Sequence, residues 1–329
     1  MLDPIIADGF TMTKLVAAIN RMPYKPGRLG QLGLFQESGV STTSIMVDER
    51  QGRLSLVQTS ERGAPVEQQK RAGVRTRTFG IRRVARSRNM MADEVQGVRE
   101  FGSENRATPV LAKRDEHLAA MRADIEATIE WHRIGAIKGL IIDADNSTVL
   151  YDLFDEFDIE QQEVAFALAD PDTELQAKID ELLEKIENEL GETPWTGTRV
   201  LGGKLFWRAL ITHPKAKEAY LNSTLAASLR GDTREEFVYG GVTWERYRGG
   251  VGGVPFIGDD EAYAVPEGVP GLFITRFAPA DYVETVNTIG LPLYAKSEPL
   301  AMGRGLAIEA QSNPISICTR PAACVKLTK

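Results

Sequence analysis

Apolar residues along the chain follow two rhythms, and the change from one to the other marks its elements. "TTSIMVDE" (42–49) and "RLSLVQTS" (53–60) alternate with period two and flank "RQG". Ile45 and Val47 would share one side, with Leu54 and Leu56 on a partner strand, which predicts a hairpin. After the polar, turn-rich "ERGAPVEQQKRAG" (61–73), "VRTRTFGIRRV" is again rich in strand-forming Val, Thr, Phe and Ile. Residues 53–84 therefore read as a long two-stranded ribbon with a mobile tip. A lone ribbon is marginal in water and should gain order by packing on a neighbour.

The rhythm then becomes helical. Leu111, Leu118, Met121, Ile125, Ile129 and Ala136 form one stripe, with Thr108 as cap, Pro109 at the first position and Gly139 at the end. About thirty residues at ~1.5 Å each predict a rod of roughly 45 Å, long enough to act as a spine. A second helix is predicted in "DTELQAKIDELLEKIENELGE" (172–192), striped by Leu175, Ile179, Leu182, Leu183, Ile186 and Leu190 and closed by Gly191. Shorter helices are expected at "TMTKLVAAINRM", with Thr11 or Thr13 as cap, at "GKLFWRALITHP", and after Pro214. The rest of 1–40 is broken by proline and glycine and reads as an extended arm that needs something to lie on. Residues 236–329 are glycine-rich and strand-like. Ribbon, helix, strands, helices and strands in that order indicate an α+β class rather than alternating βαβ units.

Composition adds little: 43% hydrophobic and 26% charged residues are ordinary for a globular protein. The short apolar runs predict no membrane-spanning helix, and "MLDPIIADGF" lacks a secretory pattern, so a cytosolic chain is expected. Cys318 and Cys324, six residues apart in a strand-like run, would lie about 20 Å apart on one face. That separation excludes a disulfide unless the chain bends, so buried, reduced thiols are expected. Charge is more telling. Residues 1–140 hold 22 Lys+Arg against 16 Asp+Glu (net +6), and 141–329 hold 17 against 30 (net −13). Such asymmetry suggests a nucleic-acid partner or self-complementarity between copies.

Chemistry is sparse. "TGTRVLGGKL" has five residues instead of four between Gly197 and Gly203-Lys204, and Leu205 where a phosphate loop needs Ser or Thr. "GGVGGVPFIG" (249–258) reads as turns rather than a dinucleotide site. His117, His132 and His213 belong to no metal motif, "DDE" (259–261) reads as a solvated turn, and the acidic run 152–163 shows no ligand spacing. No catalytic set can be assembled. Neither an enzyme, a cofactor nor a metal is predicted.

The strongest charge feature is "VRTRTFGIRRVARSR" (74–88), with six arginines in fifteen residues and no acid. As one strand it would place Arg75, Arg77 and Arg83 with Phe79 and Ile81, and Arg82, Arg86 and Arg88 opposite. Three readings stand: a nucleic-acid contact, a solvated edge that deters aggregation, or an arm docked on an acidic neighbour. The first would make the chain a soluble nucleic-acid-binding protein using 70–88, although Phe79 is the only aromatic available for stacking. The third has as acceptors the 152–163 run, with Asp155, Glu156 and Asp158, or the acidic helix 172–190.

The order of arm, ribbon, spine helix and mixed C-terminal region resembles the lambda-type (E family) major capsid proteins of tailed bacteriophages. "GLFQESGVSTTSIMVDERQGRLSLVQTSERGAP" looks like that family's arm-to-ribbon segment. "PGLFITRFAPADYVETVNTIGLPLYAK" and "EAQSNPISICTRPAACVKL" look like its C-terminal signature. The resemblance covers nearly the whole chain and implies the Hong Kong 97-type capsid fold. Carried over, it makes 1–40 the N-terminal arm and 41–88 the extended loop (E-loop) with its ribbon. A peripheral domain would comprise 89–169 and 299–329 with spine helix 108–138, and 170–298 would be the axial domain. It implies pentamers and hexamers closing into an icosahedral shell around packaged double-stranded DNA, built in the bacterial host cytoplasm. It brings no catalytic residues, no cofactor and no membrane, and no Lys–Asn cross-link can be matched here. Without a long scaffolding extension, a separate scaffold protein is expected; portal and decoration proteins are further expected partners. Arg75, Arg77, Arg82, Arg83, Arg86 and Arg88 would then meet Asp155, Glu156 and Asp158 of a neighbouring copy.

Overall fold

The computed structural model describes residues 10–22, 27–50, 74–95, 107–217, 220 and 236–329. Its helices in chain order are α1 (Met12–Arg21), α2 (Arg28–Leu32), α3 (Ala92–Val95), α4 (Ala107–Lys138), α5 (Leu153–Phe157), α6 (Leu175–Leu190) and α7 (Lys204–Thr212). The longest, α4, has 32 residues and so runs about 48 Å at ~1.5 Å per residue. It begins at Ala107, which places the expected cap Thr108 inside its first turn. The predicted stripe is real in the first part, where Leu118, Met121 and Ile125 are buried. From Ile129 to Ile137 the helix is buried on nearly all sides, charged residues included, because here it passes between layers. Gly139 stops it at φ +80°. A Cβ there would sit 2.1 Å from the Phe154 ring. Gly139→Ala is therefore expected to cost at least ~1–2 kcal/mol from the left-handed backbone alone, read as a lower urea midpoint.

Two cores flank this helix. The larger surrounds a six-stranded mixed sheet ordered β7 (Glu163–Ala165), β18 (Val325–Thr328), β13 (Glu261–Glu267), β8 (Gly197–Gly202), β10 (Val242–Arg246) and β9 (Glu236–Tyr239). Helices α6 and α7 cover it, and Phe166, Phe206 and Trp244 pack edge to face within it. The smaller lies between α4, α1 and an antiparallel sheet of β15 (Tyr294–Pro299), β16 (Gly305–Ser312) and β4 (Val84–Met91). Leu15 and Ile19 of α1 are fully buried there, so part of the expected arm lies on its own chain. A third sheet joins β1 (Gln36–Gly39), β14 (Phe273–Phe277) and β17 (Pro314–Cys318). Hairpins β5 (Leu140–Ile142)/β6 (Val149–Asp152) and β11 (Gly250–Val251)/β12 (Val254–Pro255) complete the described strands, apart from the ribbon.

The ribbon differs from the prediction. Its strands are β2 (Ser44–Arg50) and β3 (Val74–Gly80), in register from Ser44 opposite Gly80 to Arg50 opposite Val74. Ile45 thus faces Phe79 rather than a residue of 53–60; that segment and the tip 61–73 lie outside the described residues. Nor does the return strand continue to residue 84. It breaks at 81–83, where the Ile81 amide donates to the Thr43 carbonyl (2.8 Å), and β4 then joins β16 in another sheet. Hydrogen-bonding partners, not strand propensity, end the ribbon.

Residues 299–329 are shared by three sheets: β16 and β17 enter the two three-stranded sheets, and β18 pairs with β7 and β13. One expectation for the C-terminal region changes. Cys318 and Cys324 are not 20 Å apart. The chain turns through a 3-10 segment, Pro321–Ala323, which brings the sulfurs to 3.8 Å; both thiols are buried and share no disulfide.

Candidate functional site

The arginine stretch is split among three places. Arg75 and Arg77 lie on β3, Arg82 and Arg83 in the connection, and Arg86 and Arg88 on β4. The expected common face of Arg75, Arg77 and Arg83 is therefore lost at the 81–83 break. Arg77 does reach the 152–163 run, but within its own chain. Its Nε donates to the Glu156 carbonyl, and its guanidinium lies 4.8 Å over the Phe157 ring. Phe79 is fully buried beside it, against Tyr151 and Phe157. Arg83 donates to Gln311 (2.8 Å) and Glu309 (2.6 Å) and stands 3.5 Å from Asp281. Arg86 pairs loosely with Asp124 at 3.5 Å. Arg82 and Arg88 are exposed. Because β4 is the edge of its sheet, Arg86 and Arg88 stand along a strand border, where charge disfavours unwanted pairing.

The acidic run folds as β6, then α5, then a turn. Asp152 caps α5 by accepting from the amides of Phe154 and Asp155, and Leu153 and Phe157 point inward. Asp155, Glu156 and Asp158 are left exposed. No single-chain contact joins them to Arg82 or Arg88 among the hydrogen bonds and ion pairs described. The arginine surface also lacks a stacking platform: its only aromatic, Phe79, is fully buried, so the nucleic-acid reading finds no support here.

Sequence patterns missed a second charged network, which ties residues 19–37 to the body. Arg122 of α4 donates to the carbonyls of Ile19 (2.6 Å) and Met22 (2.9 Å), satisfying the end of α1. Glu130 accepts from the Leu29 amide (2.8 Å) and the Tyr247 hydroxyl (3.1 Å). Burial, then the Glu130 charge, pushes the Tyr247 phenol well above its ordinary range. Arg133 pairs with Glu37 and lies over Phe35. Arg28 on α2 and Arg199 on β8 both bind Glu245 of β10, with Glu236 and Glu267 beside them. These pairs span from 37 to 217 positions of sequence, so no local pattern announces them.

The weak chemical motifs have structural uses. The start of α7 cannot cradle phosphate: the amides of Leu205 and Phe206 already donate to the Asp259 carbonyl, and a Cβ on Gly203 would lie 1.9 Å from the Gly258 oxygen. Gly252 and Gly253, at φ +60° and +82°, make the β11–β12 turn. In "DDE", Asp260 pairs with Lys329 and Glu261 with Lys138. His117 contacts Glu94, His213 contacts the Asp170 carbonyl, and burial lowers the pKa of His132. No group of three or more metal-capable side chains converges among the described residues, and no described helix is long and apolar enough to cross a membrane.

Comparison with known proteins identifies this architecture. The family described as phage major capsid protein E matches residues 11–329. The chain belongs to that family. As a phage major capsid protein it is 26% identical over 355 residues to the major capsid protein of Salmonella phage Felix O1, covering 96% of this chain and 95% of that one. It is 28% identical over 349 residues to that of Pseudomonas phage KPP10, covering 98% of each. Among solved structures it resembles a chain assigned as the capsid protein of a prophage of E. coli CFT073, with TM-score 0.59, 15% identity, and coverage of 97% and 98%. The fold is that of the Hong Kong 97-type capsid proteins.

Proposed function

We propose that this capsid protein is the shell-forming subunit of a tailed-phage head, closing as pentamers and hexamers into an icosahedral shell around double-stranded DNA. The family match over 11–329 carries the reading. The division into arm (1–40), E-loop (41–88), peripheral domain (89–169 and 299–329, with α4) and axial domain (170–298) follows from it. One adjustment is that β7 and β18 belong to the same sheet as β8, β10 and β13 of the axial segment. A separate scaffold, a portal and a decoration protein are the partners this reading calls for, with assembly in the host cytoplasm. Arg77, Arg83 and Arg86 have partners within the chain, so we assign the contact with the next subunit chiefly to exposed Arg82 and Arg88. Asp155, Glu156 and Asp158 would oppose them. Charge pairs of this kind set register and partner choice more than affinity.

Negative-stain electron microscopy of the overexpressed protein, with and without its neighbouring phage genes, tests both parts. Closed shells or capsomer rings are expected from the natural sequence. Arg82→Glu with Arg88→Glu should abolish closed shells while leaving the circular dichroism unchanged. Normal shells from the double variant would remove the arginine role only. A uniform monomer or dimer from the natural sequence in both settings would overturn the shell reading.

A further inference from the structure

We propose that Cys318 and Cys324 are a modification site: a small disulfide oxidant joins their sulfurs into an intrachain bond that staples the turn between β17 and β18. This inference goes beyond the shell reading and does not depend on it. The two sulfurs are 3.8 Å apart and both residues are buried. A bond needs about 2.05 Å, so the sulfurs must close by under ~2 Å.

The approach is imposed by contacts that do not involve sulfur. The Thr319 amide donates to the Leu272 carbonyl (2.8 Å), and the Cys324 amide to the Pro321 carbonyl (3.0 Å). The Arg320 guanidinium reaches the Leu190 carbonyl and the Thr193 hydroxyl at the end of α6. The turn is therefore closed on itself and held to Leu272 and to the end of α6. β17 belongs to the sheet of β1 and β14, whereas β18 belongs to the six-stranded sheet. A bond between residues 318 and 324 would thus add a second covalent link, beside the main chain of the turn itself, between these two sheets.

The chemistry balances as two exchanges. One cysteine thiolate attacks a sulfur of oxidised glutathione, forming a mixed disulfide and releasing one glutathione thiolate. The second cysteine, deprotonated, attacks the protein-side sulfur, forms the Cys318–Cys324 bond and releases the second. The protein loses two electrons and two protons, and the oxidant is reduced to two thiols. The hydrogen bond with Cys318, followed by burial, pushes the Cys324 thiol well above its ordinary value. Attack accordingly waits for local opening, and the staple forms and breaks slowly. Arg320 is exposed and gives the turn a solvent-facing side.

The test uses the full chain incubated with oxidised glutathione, or with dithiothreitol, then denatured in acid, alkylated and digested with trypsin. Arg320 precedes a proline, so both cysteines stay on one peptide, 305–326. After oxidation that peptide should be lighter by two hydrogens, with neither alkyl nor glutathione adduct, and dithiothreitol should restore two alkylations. The thermal midpoint should rise by a few °C, as expected for a short closed loop. Cys318→Ala should leave Cys324 fully alkylatable or glutathionylated. The proposal is overturned if both thiols remain alkylatable after oxidation in buffer and in sub-denaturing urea. It is equally overturned if oxidation stops at the mixed disulfide or gives only chain-to-chain dimers on non-reducing gels.

Discussion

Truncating Phe79 to alanine should destabilise the folded chain by about 3–5 kcal/mol, the usual cost of emptying a well-packed aromatic site. Phe79 is fully buried. Its ring meets Tyr151 edge-on at 5.4 Å and stacks on Phe157 at 6.1 Å. Across the ribbon it faces Ile45. It is thus the plug that fixes the root of β2–β3 on β6 and α5, and neighbouring Arg77 relies on the same Phe157 ring. Urea unfolding of the unassembled chain should show a lower midpoint at unchanged slope. Phe79→Leu should retain much of the stability. A loss below ~1 kcal/mol for the alanine variant would mean that the ribbon root is not closed on the body in solution.

Glu245→Ala is expected to cost about 1.5–3 kcal/mol by a different route: it removes the charged hydrogen-bond acceptor shared by two half-buried arginines. Glu245 side-chain exposure is 6%, and both Arg28 and Arg199, at 17% and 14%, bind it. Glu236 remains for both arginines and Glu267 for Arg199, but each is more exposed than Glu245. Because Arg28 lies on α2 and Arg199 in the six-stranded sheet, the variant should also loosen the N-terminal segment. Limited proteolysis should cut within residues 1–40 several times faster than in the natural protein. Arg28→Met in the same chain should recover part of the loss, since it removes one stranded charge. Unchanged proteolysis together with unchanged urea midpoints would show that the cluster does not tie the arm down.

What was legible in the sequence was local. The stripes of α4 and α6 are read from residues three and four apart, and burial of Leu118, Ile125, Ile179, Leu182 and Ile186 follows the predicted faces. The stops at Gly139 and Gly191 were visible because a left-handed backbone position favours glycine. The order of arm, ribbon, spine and mixed strands, with the phrases quoted from 33–65, 270–296 and 309–327, was enough to recognise the capsid family. The glycine-rich run 249–258 was also read correctly as a turn.

Tertiary structure decided what depends on partners distant in sequence. A strand's composition makes it extended but does not choose its neighbour, so β2 pairs with β3 and β4 crosses to β16. That choice alone divided six arginines among three surfaces and gave Arg83 to Glu309 and Arg77 to the Phe157 ring. A 3-10 turn at Pro321–Ala323 converted an expected 20 Å between thiols into 3.8 Å. The charges that pin the arm, Arg28 to Glu245 and Arg122 to the end of α1, join positions about a hundred or more apart. Periodicity records which side of an element is apolar, since that depends on a few adjacent residues. It carries no record of which charged groups burial brings together, because that is settled only when the layers close.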